Sequence, residues 1–201
     1  MSSSNSVQAT LNRREVVASI LRDRGDALAI TSLGNPTFDV AAAGDSTQNF
    51  YLWGAMGGAV MVGLGLAKAQ PTKRVIVFVG DGEMMMGIGS LATAAVHPAD
   101  NLSIVVIDNE HYAETGMQPA HAGRGVDIAQ VARATGFQQT LVARTQQELD
   151  AAVDLVLTGK GPVLVTVKVT TDPAPTALPP RDGPYLRSRF REALLGADAH
   201  R

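Results

Sequence analysis

Residues 75–109 read VIVFVGDGEMMMGIGSLATAAVHPADNLSIVVIDN. An apolar run at 75–79 passes directly into Gly80-Asp81-Gly82, a Met- and Ala-rich helix is predicted next, and a second apolar run at 102–107 leads into Asp-Asn-Glu. Strands that are apolar throughout and alternate with helices are typical of a parallel sheet covered on both faces. The chain is therefore predicted to be α/β, a single doubly wound domain with a mostly parallel sheet and helices on both faces.

Patterns on either side of this stretch extend the same architecture. Residues 12–15 resemble a capping box that opens a helix, and the Gly-rich apolar segment 54–69 predicts a helix whose glycines let a backbone or a ligand come close. The other predicted elements are a strand at 27–31, a loop through 34–36, a helix from Asp127 to Gly136, a helix opened by a second capping box at 145–148, and a strand at 163–169.

Composition divides the chain into three parts. Residues 1–11 are small and polar and are predicted to be disordered, residues 12–170 form the folded domain, and residues 171–201 are a Pro-rich extension with a basic C-terminal segment. Arg187, Arg189 and Arg191 in that segment are predicted to form a solvated helix face, and contact with an anionic substrate or a partner is the alternative.

The overall composition excludes several classes of protein. A net charge of −2 over 201 residues gives no electrostatic case for a nucleic-acid or membrane partner, and the absence of cysteine excludes disulfide scaffolds, iron–sulfur clusters and thiol nucleophiles. The uncharged run at 50–67 has the length of a membrane span, but its five glycines favour a buried helix. A cytoplasmic location is the expectation.

The loops after the two apolar strands do not match the common nucleotide-binding motifs. Met85 stands where a dinucleotide fingerprint needs Gly, and Ile88-Gly89 stands where a P-loop needs Lys followed by Ser or Thr. A carboxylate, Asp81, and an amide, Asn109, instead follow neighbouring strands, where a hard cation bound to a diphosphate would find oxygen ligands. The alternative is that Asp81 only caps a helix and Asn109 only forms a turn.

Three segments resemble those of thiamine-diphosphate-dependent enzymes. Residues 80–112 (GDGEMMMGIGSLATAAVHPADNLSIVVIDNEHY) are similar to the motif that opens with GDG and closes with Asn, and residues 49–59 (NFYLWGAMGGA) are similar to the stretch that grips the aminopyrimidine. More narrowly, residues 108–121 (DNEHYAETGMQPAH) resemble the same segment of sulfopyruvate decarboxylase β subunits and phosphonopyruvate decarboxylases. The resemblance extends over about residues 28–169.

This resemblance implies a set of cofactor-binding residues. Asp81, the Asn109 side chain and the His111 backbone carbonyl would bind Mg²⁺. The Gly54 carbonyl would accept a hydrogen bond from the aminopyrimidine, and Met56 would wedge between the two rings of the cofactor. The implied cofactor-binding set is Gly54, Ala55, Met56, Gly80, Asp81, Gly82, Glu83, Asn109, His111 and Tyr112.

The resemblance also points to candidate substrate-facing residues and to two positions that depart from the family pattern. Gln118 and His121 are candidates for proton transfer or carboxylate binding, and Glu114 is a weaker one, although a lone loop histidine is commonly an inert surface residue. Glu83 places a carboxylate beside the expected diphosphate and would repel it unless it points away or pairs. Met117 replaces a glycine and could narrow the substrate pocket.

The resemblance also implies that part of the active site lies on another chain. Enzymes of this type need a Glu from a pyrimidine-binding domain, and only about 30 residues precede the resemblance here. The predicted function is the small (β-type) subunit of a heteromeric thiamine-diphosphate- and Mg²⁺-dependent 2-oxo acid decarboxylase, with an α-type subunit supplying that Glu. The alternatives are a carboligase subunit similar to acetohydroxyacid synthases and a non-catalytic cofactor-binding or regulatory subunit.

Overall fold

A computed structural model describes residues 9–200 of the chain. Six strands form one parallel sheet in the order β2-β1-β3-β4-β8-β7, and β5 and β6 form a separate antiparallel hairpin. The strands are β1 (Leu28–Thr31), β2 (Asn49–Tyr51), β3 (Val75–Gly80), β4 (Leu102–Asp108), β5 (His111–Tyr112), β6 (Gln118–Pro119), β7 (Gln139–Ala143) and β8 (Val163–Lys168). The predicted α/β class with a parallel sheet is confirmed.

Helices cover both faces of this sheet. They are α1 (Arg13–Arg22), α2 (Asn35–Ala42), α3 (Ala59–Ala69), α4 (Asp81–Met86), α5 (Gly89–Val96), α6 (Ile128–Thr135), α7 (Gln146–Thr158) and α8 (Gly183–Leu195). Two short 3-10 helices span Ala122–Arg124 and Gly196–His200. Within residues 9–200, no helix combines the length and the apolar character needed to cross a membrane.

The central strands contribute side chains to two separate cores. Ile76 and Phe78 of β3 pack with α1, α2 and α7, whereas Val77 and Val79 point to the other face and pack with α3, α5 and α6. Every residue of β4 is buried, as expected for a strand covered on both sides. The continuous apolar runs at β3 and β4 therefore follow from burial of both faces of the sheet.

The segment after β3 differs from the single helix that the sequence predicts. It breaks into α4 and α5 at Gly87, where the backbone packs directly against Gly57: a Cβ built on Gly87 would lie 2.1 Å from the Gly57 carbonyl oxygen. The predicted helix over 54–69 likewise begins only at Ala59, because residues 53–58 form the turns that make this contact. The two glycines hold α4 against the loop that precedes α3.

Other differences concern short elements. The predicted loop at 34–36 is in fact the start of α2, with Pro36 in its first turn, where a missing N–H costs nothing. Strands β2 and β7 were not predicted. Both lie at the edges of the sheet: β2 has only three residues, and β7 begins with an exposed glutamine and is mostly half-buried, so neither forms a long, continuously buried apolar run.

Both ends of the described range, residues 9–200, pack onto the domain. Residues 1–8 of the segment predicted to be disordered lie outside the described residues, but Leu11 is buried and pairs with Val169. Helix α8 packs on β2, and its buried Arg189 forms a bidentate ion pair with Asp45 at 2.6 and 2.8 Å. The prediction of a fully solvated arginine face is therefore wrong for Arg189, whose charge is neutralised within the fold.

Candidate functional site

A cavity of about 180 Å³ lies at the carboxyl edge of β1, β3 and β4. Its walls come from the residues that follow these strands, the first turns of α2 and α4, and the loop after β5. This edge of a parallel α/β sheet is where ligands bind in such folds, because the chain leaves every strand there. The cavity brings together Gly80, Asp81, Gly82, Glu83, Asn109, His111 and Tyr112 of the predicted cofactor set.

Asp81 contributes a buried carboxyl group to the wall of this cavity. The residue is 3% exposed, and its Oδ2 atom has no hydrogen-bond partner among the described residues. Burial, together with the nearby Asp108 carboxylate, raises the pKa of Asp81 to about 7, although the Gly82 amide and Lys168 act in the opposite direction. A buried carboxylate oxygen without a partner is costly, and a bound cation would satisfy it.

Asn109 and His111 line the same cavity. The Asn109 Oδ1 atom accepts the backbone N–H of His111 at 3.0 Å, which fixes the turn after β4. The His111 ring lies 2.9 Å from the Asn109 carbonyl oxygen through Nδ1. Within residues 9–200 no group of three His, Cys, Asp or Glu side chains forms a metal cluster. The available donor set is instead one carboxylate, one amide and backbone carbonyls, which suits Mg²⁺ completed by phosphate and water.

Glu83 lies in the wall of the cavity and is 4% exposed. Burial raises the pKa of its carboxyl to about 7, and the Ser32 hydroxyl and the backbone amides of Gly57 and Gly80 partly oppose this shift. A raised pKa favours the neutral form of this carboxyl, which would weaken the predicted repulsion of a diphosphate.

The loop of residues 53–57 is tightly constrained. Trp53 and Ala55 have φ of 52° and 55°, a region that residues other than glycine rarely adopt. The Trp53 backbone N–H donates to Ser32 at 2.8 Å, its indole N–H donates to the Pro180 carbonyl at 2.6 Å, and the Arg181 guanidinium lies 4.7 Å from the centre of its ring. The C-terminal extension thus anchors the loop. Within it, Met56 lines the cavity, whereas Gly54 and Ala55 do not.

The predicted substrate-facing residues separate into two groups. Glu114 lines the cavity, close to the glycine that precedes α2. Gln118 and His121 do not line it: Gln118 is exposed and bonds to Thr115, and His121 Nδ1 lies 2.8 Å from the Tyr112 hydroxyl. The hairpin of β5 and β6 causes this arrangement, because its turn at residues 113–115 lines the cavity and the returning strand β6 does not.

The cavity also contains residues that the sequence analysis missed. The start of α2 contributes Gly34, Asn35 and Pro36, and the first residue of α1 contributes Arg13. A signal for the first group was present, because Gly-Asn-Pro follows a predicted strand after only two intervening residues, much as GDG comes at the end of β3. No local pattern marks Arg13, which reaches the cavity only because α1 packs on α2.

Comparison with known proteins identifies the family. Residues 33–167 match the family described as thiamine pyrophosphate enzyme, C-terminal TPP binding domain. The chain belongs to this family. Thiamine pyrophosphate is the same compound as thiamine diphosphate, so the resemblance seen in the sequence is confirmed.

Individual members of the thiamine pyrophosphate enzyme family differ in how much of their length this chain spans. Sulfopyruvate decarboxylase subunit beta of Methanothermobacter thermautotrophicus is 36% identical over 187 residues, which cover 93% of this chain and 97% of the relative. Phosphonopyruvate decarboxylase of Streptomyces viridochromogenes is 35% identical over 144 residues, which cover 72% of this chain but only 36% of the relative.

Solved structures of thiamine-dependent enzymes share the fold. The 4-hydroxybenzoylformate decarboxylase of Rhodococcus jostii superposes with a TM-score of 0.69 over 87% of this chain and 35% of its own, at 20% sequence identity. Benzoylformate decarboxylase of Polynucleobacter necessarius gives a TM-score of 0.68 over 87% of this chain and 36% of its own, at 18% identity. At such identities the likeness concerns the fold alone.

Proposed function

We propose that this chain is the diphosphate-binding, β-type subunit of a thiamine-diphosphate- and Mg²⁺-dependent decarboxylase of short 2-oxo acids. The observation that carries the proposal is the buried Asp81 carboxylate oxygen, which has no hydrogen-bond partner within residues 9–200 and whose residue lines one cavity with Asn109. These two side chains follow neighbouring parallel strands and combine an acidic oxygen with an amide oxygen, as a Mg²⁺ site needs. Membership of the thiamine pyrophosphate enzyme family supports the identity of the cofactor.

Different residues of the cavity would bind different parts of the cofactor. Asp81, the Asn109 side chain and the His111 backbone carbonyl would bind Mg²⁺, and the turn at 80–82 would hold the diphosphate. Met56, fixed by the constrained loop, would contact the cofactor rings with a polarizable, unbranched side chain. When bound, thiamine diphosphate supplies a carbon nucleophile and an electron sink for the loss of CO₂ from a 2-oxo acid.

The remaining part of the active site is proposed to come from an α-type subunit. This chain spans nearly all of a β-subunit relative, but about a third of single-chain decarboxylases. An α-type subunit would then supply the pyrimidine-binding domain and the Glu that contacts the aminopyrimidine. The names of these relatives favour a substrate that carries a sulfonate or a phosphonate. Glu114 lines the cavity, and the roles of Gln118 and His121 stay predictions.

The first experiment is a pull-down of the tagged chain from its native extract, with mass spectrometry of the co-purified proteins. We expect a stoichiometric partner of under about 200 residues, by analogy with the domain sizes of this fold class. The isolated pair should release CO₂ from 3-sulfopyruvate or 3-phosphonopyruvate in the presence of thiamine diphosphate and Mg²⁺. Enzyme-like decarboxylation by the chain alone would contradict the shared active site.

A matched pair of variants tests the metal assignment. Asp81→Asn keeps the size of the side chain but removes its charge, and it should abolish binding of thiamine diphosphate in calorimetry. Asp100→Asn removes an exposed carboxylate whose only contact among the described residues is with Lys160, and it should bind as the parent does. Equal cofactor affinity in the two variants would reject the site.

Product analysis separates this proposal from its alternatives. A decarboxylase releases an aldehyde, whereas a carboligase yields a longer hydroxyketone, and a non-catalytic subunit binds the cofactor without turnover. Acetolactate synthase isozyme 1 of Escherichia coli is 26% identical over 59% of this chain, a weaker match than the decarboxylases. The expected cytoplasmic location also stays a proposal, which cell fractionation would test.

A further inference from the structure

The wall of the cofactor cavity contains a cation that the motif of the family does not include. Of the described residues that line the cavity, only Arg13 carries a permanently positive side chain. It lies before residues 33–167, which match the family. We propose that Arg13 is an anion-binding residue that contacts the diphosphate group of the cofactor, in addition to the metal. The inference rests on the proposed function of the cavity.

The position of Arg13 is fixed by the fold. Asn12 caps α1, because its side-chain oxygen accepts the backbone N–H groups of Arg14 and Glu15. Arg13 is the first residue of the helix. Arg13 is 7% exposed, and its Nη1 atom donates to the Asp39 carboxylate and, at 3.4 Å, to the Asn35 carbonyl. Helix packing and two hydrogen bonds therefore hold the guanidinium beside the first turn of α2.

The charge of Arg13 is not fully neutralised by its partner. The buried Asp39 carboxylate also accepts from Arg14 Nε at 3.0 Å, so two guanidinium groups share one carboxylate. A guanidinium has five N–H donors, and both Arg13 hydrogen bonds given above come from Nη1. The donors on Nε and Nη2 have no acceptor within residues 9–200. Arg13 lines this cavity and also a second one bordered by residues 170–174, and we infer that these donors serve a ligand in the first.

The other charged walls of the cavity make such a cation useful. Asp81, Glu83 and Glu114 surround the same space with carboxyl groups. Every positive group nearby strengthens the binding of a diphosphate placed among these carboxyl groups, because Coulomb interactions are strong where water is excluded. An arginine is well suited to this contact, because its planar donors pair with phosphate oxygens.

A purely structural role is the competing explanation, and Arg14 provides the matched control. Arg14 shares the same Asp39 oxygen but does not line the cavity. Arg13→Met and Arg14→Met each remove one partner of that carboxylate, so a loss caused only by the disturbed ion pair should be similar in both. A loss of ligand affinity in Arg13→Met but not in Arg14→Met would indicate that Arg13 contacts the ligand.

The experiment is calorimetric titration of the isolated pair of subunits with thiamine diphosphate and, separately, with inorganic pyrophosphate, each with Mg²⁺. We expect Arg13→Met to weaken both ligands at least tenfold, because pyrophosphate contains the anionic group without the rings. Arg14→Met should stay within about twofold of the parent, and Arg13→Lys should recover part of the affinity, because it restores the charge but not the planar donors.

Three outcomes would overturn the inference. Equal losses of affinity in Arg13→Met and Arg14→Met would leave only the structural role. A weaker affinity for thiamine diphosphate with an unchanged affinity for pyrophosphate would mean that Arg13 acts on the rings of the cofactor and not on its diphosphate. If the isolated pair with the parent chain binds neither ligand, the proposed function fails first and the inference fails with it. If Arg13→Met does not fold, the double variant Arg13→Met/Asp39→Asn removes the uncompensated carboxylate and is compared with Arg14→Met/Asp39→Asn.

Discussion

Replacement of Gly87 by alanine should damage both the stability of the domain and its cofactor site. The new Cβ would lie 2.1 Å from the Gly57 carbonyl oxygen, whereas real Cβ contacts stay above 3.0 Å. The two backbones must therefore separate by at least about 0.9 Å, since neither atom belongs to a side chain that can rotate. Overpacking of this kind lowers the free energy of unfolding by up to about 3 kcal/mol. The lower conformational entropy of the unfolded chain with alanine raises it by about 0.5 kcal/mol. We expect a net loss of about 2.5 kcal/mol.

The functional effect follows from what Gly57 supports. Its neighbour Met56 lines the cavity, so a shift of this loop should also weaken thiamine diphosphate binding at least tenfold. Urea unfolding measures the first effect and calorimetry the second. Gly89→Ala is the control, because its Cβ would meet nothing within 4 Å and it should be close to neutral. If Gly87→Ala matched Gly89→Ala in both measurements, the tight contact between the two backbones would be refuted.

Other perturbations test the packing, the charges and the metal. On α3, Gly65→Ala should stabilise the domain by about 0.5–1 kcal/mol in urea unfolding, because its Cβ would meet nothing within 4 Å. Gly63→Ala should destabilise the domain, because its Cβ would lie 2.2 Å from a buried valine methyl. The opposite order of stabilities would contradict this packing. The Arg189 guanidinium holds the pKa of the Asp45 carboxyl below its usual range, so the pair stabilises above about pH 4 and its contribution is lost as the pH falls further. Arg189→Met should therefore be less stable than Arg187→Met at pH 7, and the gap in melting temperature should narrow below pH 4; a gap independent of pH would exclude the ion pair as its cause. Chelation of Mg²⁺ with EDTA should abolish calorimetric binding of thiamine diphosphate, and unchanged affinity would rule out a metal-dependent site.

The parts of the fold that could be predicted are those with a local cause. β3 and β4 were recognisable because both of their faces are buried, which requires apolar residues at every position. β7 was not, because it lies at an edge of the sheet and begins with an exposed glutamine. The break between α4 and α5 also lacks a local cause, since it depends on a contact with a loop distant in sequence.

The same distinction applies to the candidate site. Asp81 and Asn109 could be predicted to lie together because each follows an apolar strand, and parallel strands end at one edge of the sheet. Arg13 could not, because its place in the cavity depends on the packing of one helix on another. The substrate-facing role of His121 stays a prediction. The structure places its ring against the Tyr112 hydroxyl through a two-residue strand pairing, and hairpins this short have no clear sequence pattern.

The anchoring of Trp53 by the Pro180 carbonyl has a consequence for the order in which the protein matures. The two residues are separated by 127 positions, so the ribosome completes all six strands of the sheet before the anchor of this loop exists. During synthesis the nascent domain can form its sheet and its metal ligands while residues 53–57 still lack one of their supports. Competence to bind the cofactor should therefore arise later than folding, after the extension has emerged and closed over the indole ring.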